Sequence, residues 1–165
     1  SQPTFLALKT SKIESIDFEE RCKILKVCEQ GRFYEYLFEK EIVDKELRKE
    51  VKTKVFSELL FNKNYSRTTE VEALFKKKFP SIFRYIVESK EDNYKNFPIL
   101  LQRQESEFIF SVVSKLKHLE IYTIHDSILT CKSCIEEVKQ EMQRQFKEKY
   151  NFFPKLIVEN LEMSK

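Results

Sequence analysis

A single glycine, Gly31, stands in a chain of 165 residues, and this limits what the chain can fold into more than any other feature. Phosphate-cradling loops of the Walker or dinucleotide type need several glycines for close backbone approach, so both are excluded. Tight glycine-dependent hairpins are correspondingly few, and the chain is biased towards helix. With 41% hydrophobic and 35% charged residues, it can bury a core and is not disordered by composition. The formal net charge is only +3, too small to argue nucleic-acid binding unless the cations cluster.

No apolar run reaches the length of a membrane span and no signal peptide is visible, so the cytoplasm is the default compartment and no membrane partner is expected. Cys22, Cys28, Cys131 and Cys134 do not fall into two close pairs, which argues against a structural zinc site. Cys131-Lys-Ser-Cys134 is a lone CxxC whose flanks read as a strand end and a helix start rather than a redox motif.

Periodicity predicts a succession of helices. Phe18, Cys22, Ile24, Leu25 and Cys28 share a face that Gly31 stops, and Phe33–Phe38 forms a short second helix. Asp44 caps a helix to about Phe61 with Leu47, Val51, Val55, Leu59 and Leu60 on its buried stripe. Thr68-Thr69 caps the next, Pro80-Ser81 opens another, and Pro98 opens a long one through about Leu116. The pattern then changes. Residues 119–131 hold the β-branched runs Ile121–Ile124 and Ile128–Thr130 around the polar pair His125-Asp126, which predicts a strand-turn-strand. A helix follows from Ser133, and Phe153–Val158 reads as a final short strand. Ser1-Gln2-Pro3-Thr4-Phe5-Leu6 begins inside a patterned apolar segment, as though the sequence were cut from a longer protein.

Three places can carry chemistry. Asp126 joins two apolar strands on a rigid support, where a carboxylate needs a cation, donors or a metal; an ordinary turn aspartate is the simpler reading. Arg48 and Lys52, four residues apart on one helix, could hold polyphosphate oxygens, or belong to a solvated basic face with Lys45, Lys49 and Lys54. Gln102-Arg103-Gln104-Glu105-Ser106 offers amides and a guanidinium suited to a nucleic-acid groove, or is simply exposed.

The order of these motifs, Arg48-x-x-x-Lys52 with Phe56 and Phe61, then Phe79-Pro80, Gln102 and finally Tyr122-Thr-Ile-His125-Asp126-Ser127, resembles family A DNA polymerases and single-subunit phage-type RNA polymerases. Ser1-Gln2 is similar to the tail of the second metal motif of those enzymes, whose aspartate stands a few residues earlier. Three departures are visible: Leu60 stands where a Tyr is usual, with Phe61 one place late; the nearby glycine is absent; and no Glu follows Ser1-Gln2. They leave DNA or RNA as the product open.

The resemblance implies an α+β chain forming one palm-and-fingers fragment. A mostly helical fingers-like body (about 18–116) would pack against a small antiparallel palm-like hairpin, helix and strand (about 117–165). It implies two-metal nucleotidyl transfer of a phage or mobile-element replication enzyme. Asp126 would hold Mg²⁺ and His125 would position the primer end. Lys52 and Arg48 would hold the nucleoside triphosphate, Leu60 or Phe61 would pack on its base, and Gln102, Arg103 and His125 would meet the template-primer. The remainder of the parent polypeptide would be a partner, and the isolated chain would be inactive because one metal-binding aspartate lies upstream. The competing reading is a non-enzymatic helical module that binds nucleic acid or protein, with Asp126 a turn residue.

Overall fold

A computed structural model describes residues 2–63, 67–124 and 126–161, without the side chain of Gln2. His125 lies outside the described residues. The chain is mostly helical, with one two-stranded antiparallel sheet.

Helix α1 (Gln2–Thr10) runs through the centre. Phe5, Leu6, Ala7 and Leu8 are all buried, so it has no solvent stripe and no helical periodicity to betray it. Helices α2 (Phe18–Glu29) and α3 (Phe33–Phe38) pack beside it, separated by Gly31, whose φ of 68° is the left-handed conformation that terminates α2. Asp17 caps α2, its carboxylate accepting from the Glu20 N–H at 3.0 Å. Helix α4 (Lys45–Val55) starts at the expected cap, Asp44, which accepts from the Leu47 N–H at 2.9 Å.

Helix α4 does not continue as an α-helix to Phe61. Phe56–Leu60 is π-helical, and the Phe61 N–H donates to the Phe56 carbonyl five residues back at 3.0 Å. The buried Lys90 holds the end of this segment, its Nζ donating to the carbonyls of Leu59 at 2.7 Å and Asn62 at 3.0 Å. Lys90→Met keeps the apolar stem but removes both donations; we expect about 1–2 kcal/mol lost in denaturant unfolding, with unchanged stability counting against this role.

Helix α5 (Glu70–Lys78) opens on a reciprocal capping box between Thr69 and Glu72. Helix α6 (Pro80–Glu88) lacks a local side-chain cap, and Glu20 of α2 supplies one from across the fold, accepting from the Ser81 and Ile82 N–H groups at 3.0–3.1 Å. The long α7 (Asn96–Lys115) starts two residues before the Pro98 expected to open it. It packs on α1 and on α8 (Ile135–Tyr150), where the Phe108 and Phe146 rings lie 3.9 Å apart. One hydrophobic core therefore joins the helical body to the segment after residue 116.

Between α7 and α8, β1 (Ile121–Ile124) pairs with β2 (Ser127–Thr130) in the register Ile121↔Thr130 to Ile124↔Ser127. The expected hairpin is there, its second strand beginning at Ser127 rather than Ile128, with Asp126 in the turn just before it. The expected final strand at Phe153–Val158 is not. Those residues have no regular secondary structure; they follow α8 and buried Phe152, with Ile157 74% exposed, and neither β1 nor β2 pairs with them. Apolar residues do not make a strand without a partner strand.

Candidate functional site

Elements far apart in sequence meet at an open cleft of about 630 Å³. Helix α4 and its π-helical extension form one wall with Lys49, Lys52, Thr53, Phe56 and Leu60. Their spacing of three, one, three and four residues keeps them on one helical face. Helix α7 contributes Gln102, Glu105 and Ser106, again three and four apart. Tyr34 of α3 and Pro3 of α1 form the floor, and Asp126 reaches the cleft from the hairpin turn.

Four of the residues singled out in the sequence are thus brought together: Lys52, Leu60, Gln102 and Asp126. Lys49 and Lys52 place two exposed cations on the wall, while Asp126 and the buried Glu105 place two carboxylates in the lining. Asp126 itself is exposed. Its charge is felt at Tyr34, whose hydroxyl pKa is raised chiefly by burial, opposed by the Arg48 guanidinium and further raised by Cys28, Glu35 and Asp126.

Arg48 does not share the wall with Lys52. Its guanidinium pairs with the Glu35 carboxylate, donates to the Gly31 carbonyl at 2.8 Å and lies 5.5 Å from the centre of the Tyr34 ring. The reason is helical phase. Arg48 lies three residues before Val51 and seven before Val55, on the flank of the buried stripe, whereas Lys49 is three residues before Lys52 and faces the cleft. Arg48 is thus held between Glu35, the Gly31 carbonyl and the Tyr34 ring.

Arg103 also faces elsewhere. It joins Lys9, Lys12, Ile99, Leu100 and Gln104 in a second groove of about 650 Å³ on the other side of α7. Positions 102, 105 and 106 look into one groove and 99, 100, 103 and 104 into the other, so α7 divides them.

Phe61 stacks on Phe56 with ring centres 4.5 Å apart, and Phe56 is the aromatic side chain of the α4 wall. The π-helical segment adds one residue to the turn, so Phe61 lies over Phe56 as a residue one place earlier would in an α-helix.

Sequence reasoning missed Tyr34, which carries no signal of its own, and gave no separate role to Lys49 of the basic face, Phe56 of the motif order or Glu105 of the polar cluster; Lys49 and Phe56 were open to the same-face rule at three and four residues from Lys52. Among the described residues, no three His, Cys, Asp or Glu side chains converge as a ready-made metal cage, and no helix is long and apolar enough to cross a membrane. No family model, curated protein or solved structure matches this chain.

Proposed function

We propose that this chain is a palm-and-fingers part of a template-directed nucleotidyltransferase, whose cleft takes a nucleoside triphosphate. One observation carries the reading. Lys52, Leu60, Gln102 and Asp126, which carry the polymerase-like pattern at positions up to 74 apart, line a single cleft.

The chemistry of the lining suits the substrate. Lys49 and Lys52 offer ammonium groups, stacked one turn apart, to the triphosphate oxygens. Phe56 and Leu60 offer an apolar face to the base or sugar, and Gln102 an amide to nucleic acid. Mg²⁺ is commonly held through one or two carboxylates together with substrate phosphates and water, so an exposed Asp126 facing two lysines fits a metal that arrives with its nucleotide. Asp126 would hold it, with Glu105 the other carboxylate of the lining. When bound, such a metal supplies Lewis-acid activation of a primer hydroxyl and charge stabilisation in phosphoryl transfer. Lys52 adds fixed positive charge where pyrophosphate charge develops, and Arg48 acts through Tyr34 rather than on the nucleotide.

The 165-residue chain can be tested directly by calorimetric titration with a nucleoside triphosphate and MgCl₂. Saturable Mg²⁺-dependent binding is expected, weakened about tenfold or more by Lys52→Ala, a loss of about 1.4 kcal/mol. Arg103→Ala, in the second groove, should leave it unchanged. Equal affinity of Lys52→Ala and wild type would remove the nucleotide reading and favour a binding module with a solvated basic face.

A further inference from the structure

We propose that Cys131 and Cys134 form a redox-reactive dithiol that small-molecule disulfides convert into an intramolecular disulfide, with Cys131 as the attacking thiol. The pair stands at the end of β2 remote from the Asp126 turn and is a separate site. Cys131 leaves the strand with extended backbone (φ −66°, ψ 153°), and Lys132–Cys134 then makes one 3₁₀ turn into α8. The Cys134 N–H donates to the Cys131 carbonyl at 3.0 Å, closing the turn so that both side chains emerge on one side. Their sulfurs lie 2.7 Å apart, and the Ser133 hydroxyl is 3.2 Å from the Cys131 sulfur.

A thiol pair that needed only to end a strand and start a helix would have no reason to converge. Here the turn has already brought the second sulfur to the first, so ring closure needs side-chain adjustment alone. The two thiols are also unequal. Cys131 is exposed and Cys134 half-buried. The contact between the two sulfurs and then the Ser133 hydroxyl draw the Cys131 thiol below its ordinary pKa, while the same sulfur contact raises that of Cys134. The more exposed thiol is therefore the better thiolate. The other two cysteines provide contrasts within the molecule. Burial pushes Cys28 up to about 12, which makes it inert, and exposed Cys22 has no neighbouring cysteine in the fold.

The reaction balances with a low-molecular-weight disulfide as oxidant. The Cys131 thiolate attacks one sulfur of the oxidant, whose S–S bond breaks and whose other half leaves as a thiolate that takes up a proton. The Cys134 thiolate then attacks the Cys131 sulfur of the mixed disulfide and expels the second half. The protein loses two hydrogens, and the oxidant becomes two thiols.

The test exposes the full chain to oxidised glutathione, quenches with acid, alkylates the remaining thiols and reads intact mass and peptide map. Wild type should take up two fewer alkyl groups than the unoxidised chain and retain no glutathione on Cys131 or Cys134, with the new bond mapped to those two residues. Cys134→Ser should instead accumulate one glutathione on Cys131, about tenfold faster than Cys22 acquires it. Cys131→Ser should react at Cys134 more slowly than Cys134→Ser does at Cys131. Wild-type chain that keeps both thiols, carries a stable glutathione on Cys131, or reacts no faster there than at Cys22 would overturn the proposal.

Discussion

Asp126→Asn, made in an intact polypeptide containing this chain, should lower template-directed nucleotide incorporation by about 10²–10³-fold. The substitution preserves shape and removes charge. An amide oxygen still accepts a hydrogen bond, so a turn aspartate would lose little by it. A Mg²⁺ site would lose much more, because its affinity depends on the carboxylate charge. The residue is exposed in a hairpin turn, so stability should change by no more than about 0.5 kcal/mol. An unfolding curve that overlays wild type, with activity lost and partly recovered in excess Mg²⁺, is the expected pair of results. Wild-type turnover by the Asn variant would return Asp126 to the role of a turn residue. Loss of the fold along with activity would show that its carboxylate is structural.

Much of this arrangement was legible because the local signals were chemically distinct. Asp44 and Thr69 are N-caps, Pro80 opens a helix and Gly31 stops one, each for a reason contained in a few neighbouring residues. The hairpin was legible because two β-branched runs flank a polar pair, although the second strand starts one residue earlier than its run, at Ser127. What escaped was set by contacts between distant residues. Helix α1 is enclosed along Phe5–Leu8, so no polar face marks its period. The Phe153–Val158 segment has strand-like residues but no strand partner. Glu20 caps α6 from α2, some 61 positions away, and no local reading reveals that.

The candidate site shows the same division. Spacing placed Lys52 on a face but could not choose between Arg48, four residues before it, and Lys49, three before it. Only the direction of the buried Val51–Val55 stripe decides, because it fixes the rotation of α4 against Tyr34. On α7, neighbouring Gln102 and Arg103 form one polar cluster in the sequence yet face opposite grooves. The widened turn at Phe56–Leu60, over which the Phe61 ring meets that of Phe56, was likewise invisible.

Arg48→Ala should therefore act on stability where Lys52→Ala acts on nucleotide. The Glu35 side chain is only 9% exposed, and its Oε2 is buried with no hydrogen-bond partner, so Arg48 is the cation that balances this carboxylate. Breaking a fully buried pair by removing one partner costs about 3–5 kcal/mol. Arg48 is 37% exposed and water can replace part of what it gives, so we expect about 2–3 kcal/mol, including the lost donation to the Gly31 carbonyl. The double variant Arg48→Ala/Glu35→Gln should recover part of that loss, since a neutral amide is left in place of an unpaired charge. Lys52 is exposed, and its removal should leave the unfolding midpoint within about 0.5 kcal/mol of wild type. Two measurements, denaturant unfolding and nucleotide titration at a temperature where both variants stay folded, separate the roles. Arg48→Ala that unfolds like wild type but loses nucleotide affinity would put the guanidinium on the triphosphate after all, swung from Glu35 into the cleft.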